Sequence, residues 1–143
     1  MKRNLIGILS LVVLSVLISA TGASAQSYAK ANVPFAFSVG SAQLPAGTYE
    51  VKNMGQGNSS ILIQNDETSA AALSTAGREQ PRQTNAKLVF HRVGNSYFLA
   101  EVWRSSTAEG MIVPTSNQEK ELEKELRASN TKGGYEEVVV ALN

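Results

Sequence analysis

The chain has 143 residues, of which 13 are Lys or Arg, 12 are Asp or Glu, one is His and none is Cys. This length suffices for one domain with a single hydrophobic core. The lack of cysteine excludes disulfides, thiolate catalysis, cysteine-based metal sites and a lipid anchor attached through cysteine. A net charge of +1 offers no basic surface for phosphates, so we predict no nucleic-acid partner.

The N-terminus has the three-part layout of a cleavable export signal. Lys2 and Arg3 form a positive start, residues 5–20 carry no charge, and small residues lead up to Ala25 in an A-x-A pattern. We predict that residues 1–25 are a signal peptide that is cleaved after Ala25. The protein would then work in the periplasm, at the cell surface or in the medium.

An uncleaved membrane anchor is the alternative interpretation of this segment. Its apolar stretch, residues 5–20, is shorter than the roughly 20 residues that a spanning helix needs, and no cluster of Lys or Arg follows it. We therefore predict no membrane span after cleavage. Loss of Lys2 and Arg3 leaves 11 basic side chains against 12 acidic ones, so the processed chain would carry a net charge of about −1.

Residues 26–143 are predicted to form one β-rich domain. Apolar side chains recur at every second position in several short segments, which is the pattern of half-buried strands. The predicted strands are residues 32–39, 48–52, 60–64, 69–76, 87–93, 96–104 and 135–142. Gly, Pro and Asn turns separate them. Pro34 cannot donate to a ladder, so the first strand is expected at a sheet edge or with an irregular start.

The clearest element is a hairpin in which Gly94-Asn95 joins residues 87–93 to residues 96–104. In this register Phe90 faces Leu99. One face is expected to carry Leu88, Phe90, Tyr97, Leu99 and Trp103, and the other Val89, Val93, Phe98, Ala100 and Val102. Because both faces are apolar, the hairpin belongs at the centre of the fold or beneath a covering element.

Residues 115–128 are the one helix candidate. The segment from Ser116 to Glu119 fits a capping box, and only Leu122 and Leu126 form an apolar stripe, which predicts a helix lying on the surface. The whole pattern predicts an all-β domain: an antiparallel meander forming a small barrel or a sandwich, with one surface helix near the C-terminus. The pattern leaves barrel and sandwich open.

No catalytic constellation is recognisable among the polar residues. One histidine, His91, and one aspartate, Asp66, offer too few ligands for a metal centre. We therefore predict no metal, no cofactor and no catalytic residue. His91 is interpreted as a hydrogen-bonded histidine within the sheet, and Glu101 as a partly buried carboxylate paired with Arg92 or Arg104.

Five hairpin residues are the candidates for contacts at a surface or pocket. They are His91, Arg92, Tyr97, Glu101 and Trp103. Trp103, Tyr97 and Phe90 could form a platform on which sugars stack, although aromatic residues at alternate strand positions are more often part of a core.

Two longer motifs carry a resemblance to a known group of proteins. Residues 33–51 read V-P-F-A-F-S-V-G-S-A-Q-L-P-A-G-T-Y-E-V, and residues 88–103 read L-V-F-H-R-V-G-N-S-Y-F-L-A-E-V-W. In these motifs the chain resembles small exported all-β proteins of unassigned function from environmental bacteria. The resemblance implies a secreted all-β domain, and it implies no site residue.

Three functions remain as hypotheses from the sequence. The first is an exported, non-catalytic domain that binds or assembles through a sheet surface or an open edge, with copies of itself or a component of the envelope as its partner. The second is a barrel that carries a small apolar ligand, and the third is an envelope hydrolase that uses Glu101 or His91. The missing catalytic patterns and the two-faced hairpin favour the first hypothesis.

Overall fold

The computed structural model describes residues 29–54, 60–79, 85–104, 109–129 and 134–143, and the predicted signal peptide lies outside them. The elements are β1 (Ala29–Val33), β2 (Phe37–Val39), β3 (Ala42–Leu44), β4 (Gly47–Met54), β5 (Ser60–Gln64), β6 (Ser69–Leu73), β7 (Thr75–Glu79), β8 (Lys87–Val93), β9 (Ser96–Trp103), β10 (Glu109–Ile112), α1 (Asn117–Ala128) and β11 (Glu136–Ala141).

The strands form two sheets that enclose one core. The first sheet has the antiparallel order β1-β4-β5-β6, and the second has the order β11-β8-β9-β10-β7. In the second sheet β2 also lies parallel to β9 through Ser38 and Phe98, and β3 pairs with β2. The prediction of an all-β domain with one helix near the C-terminus is confirmed. The arrangement is sandwich-like, and no closed barrel is found among the described strands.

The two sheets join at two corners. At one corner Ala31 and Leu142 form an antiparallel bridge, and Lys30 and Asn143 exchange two backbone hydrogen bonds of 2.9 Å. At the other, the chain leaves the first sheet at the end of β6, passes through the buried Ser74 and enters the second sheet as β7. Strands that change sheets in this way close the ends of a sandwich without closing a barrel.

Several predicted boundaries differ from the observed ones for identifiable reasons. The predicted strand 32–39 is divided at Pro34 into β1 and β2. As expected for a residue without a backbone N–H, Pro34 directly follows an edge strand, β1. The predicted strand 69–76 is divided at Ser74 by the change of sheets. The predicted meander describes β4-β5-β6 and β8-β9-β10, whereas β1, β2 and β11 pair with strands distant in the sequence.

A β-bulge in the central hairpin reverses part of the predicted facing. Phe90 faces Leu99 as predicted, but Val89 faces Glu101, which leaves Ala100 as the extra residue. From Glu101 to Trp103 each side chain of β9 therefore points to the face opposite to the predicted one, because side chains alternate between faces with a period of two. Leu88 is therefore paired with Val102 and Lys87 with Trp103. Trp103 lies on the outer face of the second sheet, and its predicted place beside Leu88 and Phe90 is wrong.

The outer face of the hairpin is covered at one end by α1. Ser116 caps the helix, and its hydroxyl accepts a hydrogen bond of 3.1 Å from the backbone N–H of Glu119, which is half of the predicted capping box. At the far end of α1, Leu126 packs on the hairpin turn, 3.5 Å from where a Cβ of Gly94 would lie. The predictions of a surface helix and of a hairpin buried on both sides are thus confirmed.

Candidate functional site

The two motifs of the sequence meet in one chain of aromatic rings. Tyr97 stacks on Phe35 at 3.9 Å, and Phe35 meets the Phe90 ring edge-on at 5.2 Å. Phe90 contacts Phe37 at 5.2 Å, and Phe37 contacts Tyr49 at 5.3 Å, both with steeply inclined rings. Such edge-to-face geometry is the preferred packing of aromatic side chains in a core. The rings occupy space that an apolar ligand carried between the sheets would need.

Tyr49, the last ring in this aromatic cluster, also stabilises the turn L-P-A-G-T-Y at residues 44–49. Tyr49 is fully buried, and its hydroxyl donates a hydrogen bond of 2.6 Å to the carbonyl oxygen of Pro45. A buried phenol needs a partner for its O–H group, and the turn provides one. The motif is accordingly accounted for by packing and turn closure.

Arg92 and Tyr97 lie together at the rim of the sandwich. The Arg92 guanidinium lies 5.8 Å from the centre of the Tyr97 ring, its Nε donates to the carbonyl oxygen of Gly94 at 3.1 Å, and its Nη1 is 3.5 Å from Glu136 Oε2. Of the two predicted partners of Glu101, Arg92 and Arg104, the first pairs with Glu136 instead. The arginine links the hairpin to β11.

Glu101 and Trp103 form a separate pair on the outer face. The Trp103 Nε1–H donates to Glu101 Oε2 at 2.7 Å, and the indole is 2 % exposed. The ring lies against Gly110 of β10, where a Cβ would come within 2.7 Å of two indole carbons. Lys87 Nζ lies 5.9 Å from the ring centre. An indole so enclosed leaves no free ring face for stacking a sugar.

His91 joins α1 to the sheet. Its Nδ1 lies 2.8 Å from Glu119 Oε1, and its ring stacks on Tyr135 at 3.7 Å. When Glu119 is a carboxylate, which only accepts hydrogen bonds, the donor in this contact is the Nδ1–H of His91. The Glu119 side chain, which the predicted capping box would turn back to Ser116, makes this long-range contact instead. Glu119 is 3 % exposed, the one buried residue in the fully described α1.

The five candidate residues do not come together in one site. Arg92 and Tyr97 lie at the rim on the inner side of the second sheet, whereas His91, Glu101 and Trp103 lie on its outer side. Two surface cavities, of about 220 Å³ beside β4 and β5 and about 390 Å³ beside the start of α1, are lined by other residues.

Within residues 29–54, 60–79, 85–104, 109–129 and 134–143, no group of three or more His, Asp or Glu side chains is placed to hold a metal ion. Over the same residues, no helix has the length and apolar character that crossing a bilayer requires.

The second sheet has two edge strands, β7 and β11, and every side chain of β11 is described. Among the described strands β11 pairs with β8 alone, over all six of its residues, and meets β1 at Leu142, just beyond its end. Two large side chains here are open to solvent. Val139, within β11, is 56 % exposed, and Tyr135, just before the strand, is 51 % exposed. The sequence located this strand but did not reveal that it lies at an edge, because strand order depends on distant pairings.

The edge strand β6 of the first sheet is less open. It ends in Leu73, which is 76 % exposed, but β2 and β3 pack against β6 and its chain continues across the corner into β7. We therefore regard β11 as the candidate interaction surface: the free side of the strand together with the outward Glu137, Val139 and Ala141.

Comparison with known proteins adds no assignment to this surface. No protein-family model, curated protein or solved structure matches the chain.

Proposed function

We propose that this protein is an exported, non-catalytic β domain that binds or assembles by adding a strand to β11. The observation that carries the proposal is a strand with backbone pairing on one side, to β8, and with an outward valine that is 56 % exposed. An unpaired strand edge presents N–H and C=O groups to any extended chain that can align with it.

The composition of β11 supports this role. Natural edge strands are commonly protected by lysine, proline or a bulge. In β11 the charges are confined to its first two residues, Glu136 and Glu137, and the rest reads V-V-V-A. Its register with β8 is continuous from Glu136 to Ala141. Beyond these two glutamates β11 has no such protection, so its remaining residues are suited to pairing with a second chain.

The non-catalytic part of the proposal rests on the partners of the polar candidates. Glu101 accepts from Trp103, Glu119 holds His91, and Arg92 pairs with Glu136. Each group has a structural contact, and none of these six residues lines either cavity described above. A hydrolase would need such groups at a cleft.

Export is supported by the residues before β1. The positive start, the uncharged run of residues 5–20 and the small residues ending at Ala25 together fit a cleavable signal. Intact mass of the protein released by the producing cell tests this directly. We expect the mass of residues 26–143; a mass that includes residues 1–25 would contradict cleavage.

A site-specific photo-crosslink tests binding through β11. The photoreactive residue p-benzoylphenylalanine replaces Val139 in the producing cell, and in the control it replaces Leu73, an exposed apolar residue of the other sheet. On irradiation we expect a defined adduct, identified by mass spectrometry, from position 139 and none from position 73. Monomer alone from both positions, or the same adducts from both, would refute the role of β11.

A further inference from the structure

We infer that the partner of β11 is a second copy of this chain, and that the two copies pair antiparallel about a two-fold axis at Val139. This inference rests on the proposed function and names the occupant of that edge. In this register Val139 faces Val139 of the second copy, Val138 faces Val140, and Glu137 faces Ala141. The second sheet would continue across both subunits through β8, β11 and their counterparts.

The register keeps every side chain on its proper face. Residues directly opposite each other in an antiparallel pair lie on the same side of the sheet. Val138 and Val140 are half-buried opposite the inward Phe90 and Leu88, whereas Val139 faces outward opposite Val89. A two-fold axis centred on Val139 pairs inward valines with inward valines, and joins the two exposed outward valines to each other.

The charges favour a second copy in this register. Glu137 of one copy lies opposite the small Ala141 of the other, and Ala141 is flanked on its far side by Lys87 of β8. Each carboxylate therefore approaches a lysine rather than another carboxylate. Glu136 is already paired with Arg92 at 3.5 Å. A register centred on Val138 would instead place Glu136 opposite the half-buried Val140 of the other copy, and it would bring Glu136 no new cationic partner.

The length of the free edge agrees with this pairing. The free run stops where Leu142 pairs with Ala31, so the two-fold register uses Glu137–Ala141 from each copy. It requires Glu136, which would fall opposite Leu142, to bend away from β1 of the other copy. Five residues from each copy bury much less than the roughly 1,200 Å² of a standard interface. We therefore expect weak association that becomes visible as the protein concentration rises.

Single-cysteine cross-linking of the protein as the producing cell delivers it tests the inference, because the natural chain has no cysteine. Val139→Cys places two thiols at facing positions, whose Cα atoms would be about 4.5–5.5 Å apart, within the range that a disulfide spans. With a mild oxidant we expect a covalent dimer, which a reductant returns to monomer. Monomer alone would overturn the inference.

Two matched variants check the register. In the inferred dimer the two Ala141 positions are about 14 Å apart, so Ala141→Cys alone should give no covalent dimer, and neither should Glu137→Cys alone. A mixture of these two proteins should give a disulfide between unlike copies. A dimer from Val138→Cys at the expense of Val139→Cys would overturn the register stated here.

Sedimentation velocity on variants without cysteine provides the non-covalent test. Val139→Lys should hold the protein monomeric at concentrations where the natural chain dimerises, because it brings two lysines face to face. Leu73→Lys, at an exposed apolar site of the other sheet, should leave dimerisation unchanged. If both variants dimerise like the natural chain, or if the natural chain stays monomeric at high concentration, the inference fails.

The photo-crosslink at position 139 separates this inference from the proposed function. An adduct of twice the chain mass agrees with both. An adduct with a different protein, together with no disulfide from Val139→Cys, overturns the second copy as the partner and leaves strand addition at β11 standing. No adduct and no disulfide would overturn both.

Discussion

The contact between Gly110 and the indole of Trp103 makes a steric prediction that can be worked from the structure. Gly110 is buried, and its φ does not lie in the left-handed region, so alanine meets no backbone strain there. An alanine Cβ would nevertheless lie 2.7 Å from two ring carbons of Trp103 and 2.9 Å from a third. Ordinary contact begins near 3.4 Å, so the indole must move by roughly 0.7 Å or more.

The expected cost follows from two opposing effects. Overpacking of this kind destabilises a protein by about 1–3 kcal/mol, and moving the indole also disturbs its 2.7 Å hydrogen bond to Glu101. The lower entropy of the unfolded alanine chain returns about 0.4–1 kcal/mol. We expect Gly110→Ala to lower the free energy of unfolding by about 1–2 kcal/mol, which lowers the melting temperature by roughly 5–10 °C in a domain of this size.

Thermal and urea unfolding followed by far-UV circular dichroism measure the effect. Gly47→Ala is the matched control, because a Cβ there would lie at an ordinary 3.6 Å from the Tyr49 ring and should change stability by less than about 0.5 kcal/mol. In a protein that carries Trp103→Phe, Gly110→Ala should lower the free energy of unfolding by less than it does beside the natural tryptophan. A Gly110→Ala protein as stable as the natural one would refute the predicted clash.

Three further substitutions test other contacts by the same unfolding measurements. Trp103→Ala should cost about 3–5 kcal/mol, and unchanged melting would mean that the indole is not enclosed. His91→Ala should cost about 1–3 kcal/mol because it leaves the buried carboxylate of Glu119 without its donor. The double variant His91→Ala/Glu119→Ala should lose less stability than the sum of the losses in the two single variants. Strict additivity would contradict the pairing. Tyr49→Phe should cost about 0.5–1.5 kcal/mol by removing the hydrogen bond to Pro45, and no loss would show that this bond is not needed.

The central hairpin illustrates how far local pattern can be trusted. The turn at Gly94-Asn95 and the pairing of Phe90 with Leu99 were predictable, because both follow from the residues next to the turn. The bulge at Ala100 was not, since an alanine in an apolar run carries no local sign of it. The carbonyl oxygen of Ala100 accepts a hydrogen bond from Val113, a partner that only the assembled sheet brings near.

The candidate residues show the same division. Their placement on one hairpin came from the sequence, and that hairpin is central to the fold. The sequence did not predict their partners. Glu119, which contacts His91, lies on a helix 28 residues further along the chain, and Glu136, which contacts Arg92, lies in β11. Contacts between side chains so distant in the chain depend on how the elements pack, which alternation and spacing do not record.

The sequence by itself determined the all-β character of the protein, the hairpin turn and the capped surface helix. Alternation of apolar residues, turn chemistry and caps act over a few neighbouring positions, so the local sequence is sufficient to specify them. Only the tertiary structure decided that the sheets form a sandwich, that Trp103 faces outward and that β11 is an edge. Strand order and register are set by pairings between distant segments, in which one inserted residue is enough to turn a strand over.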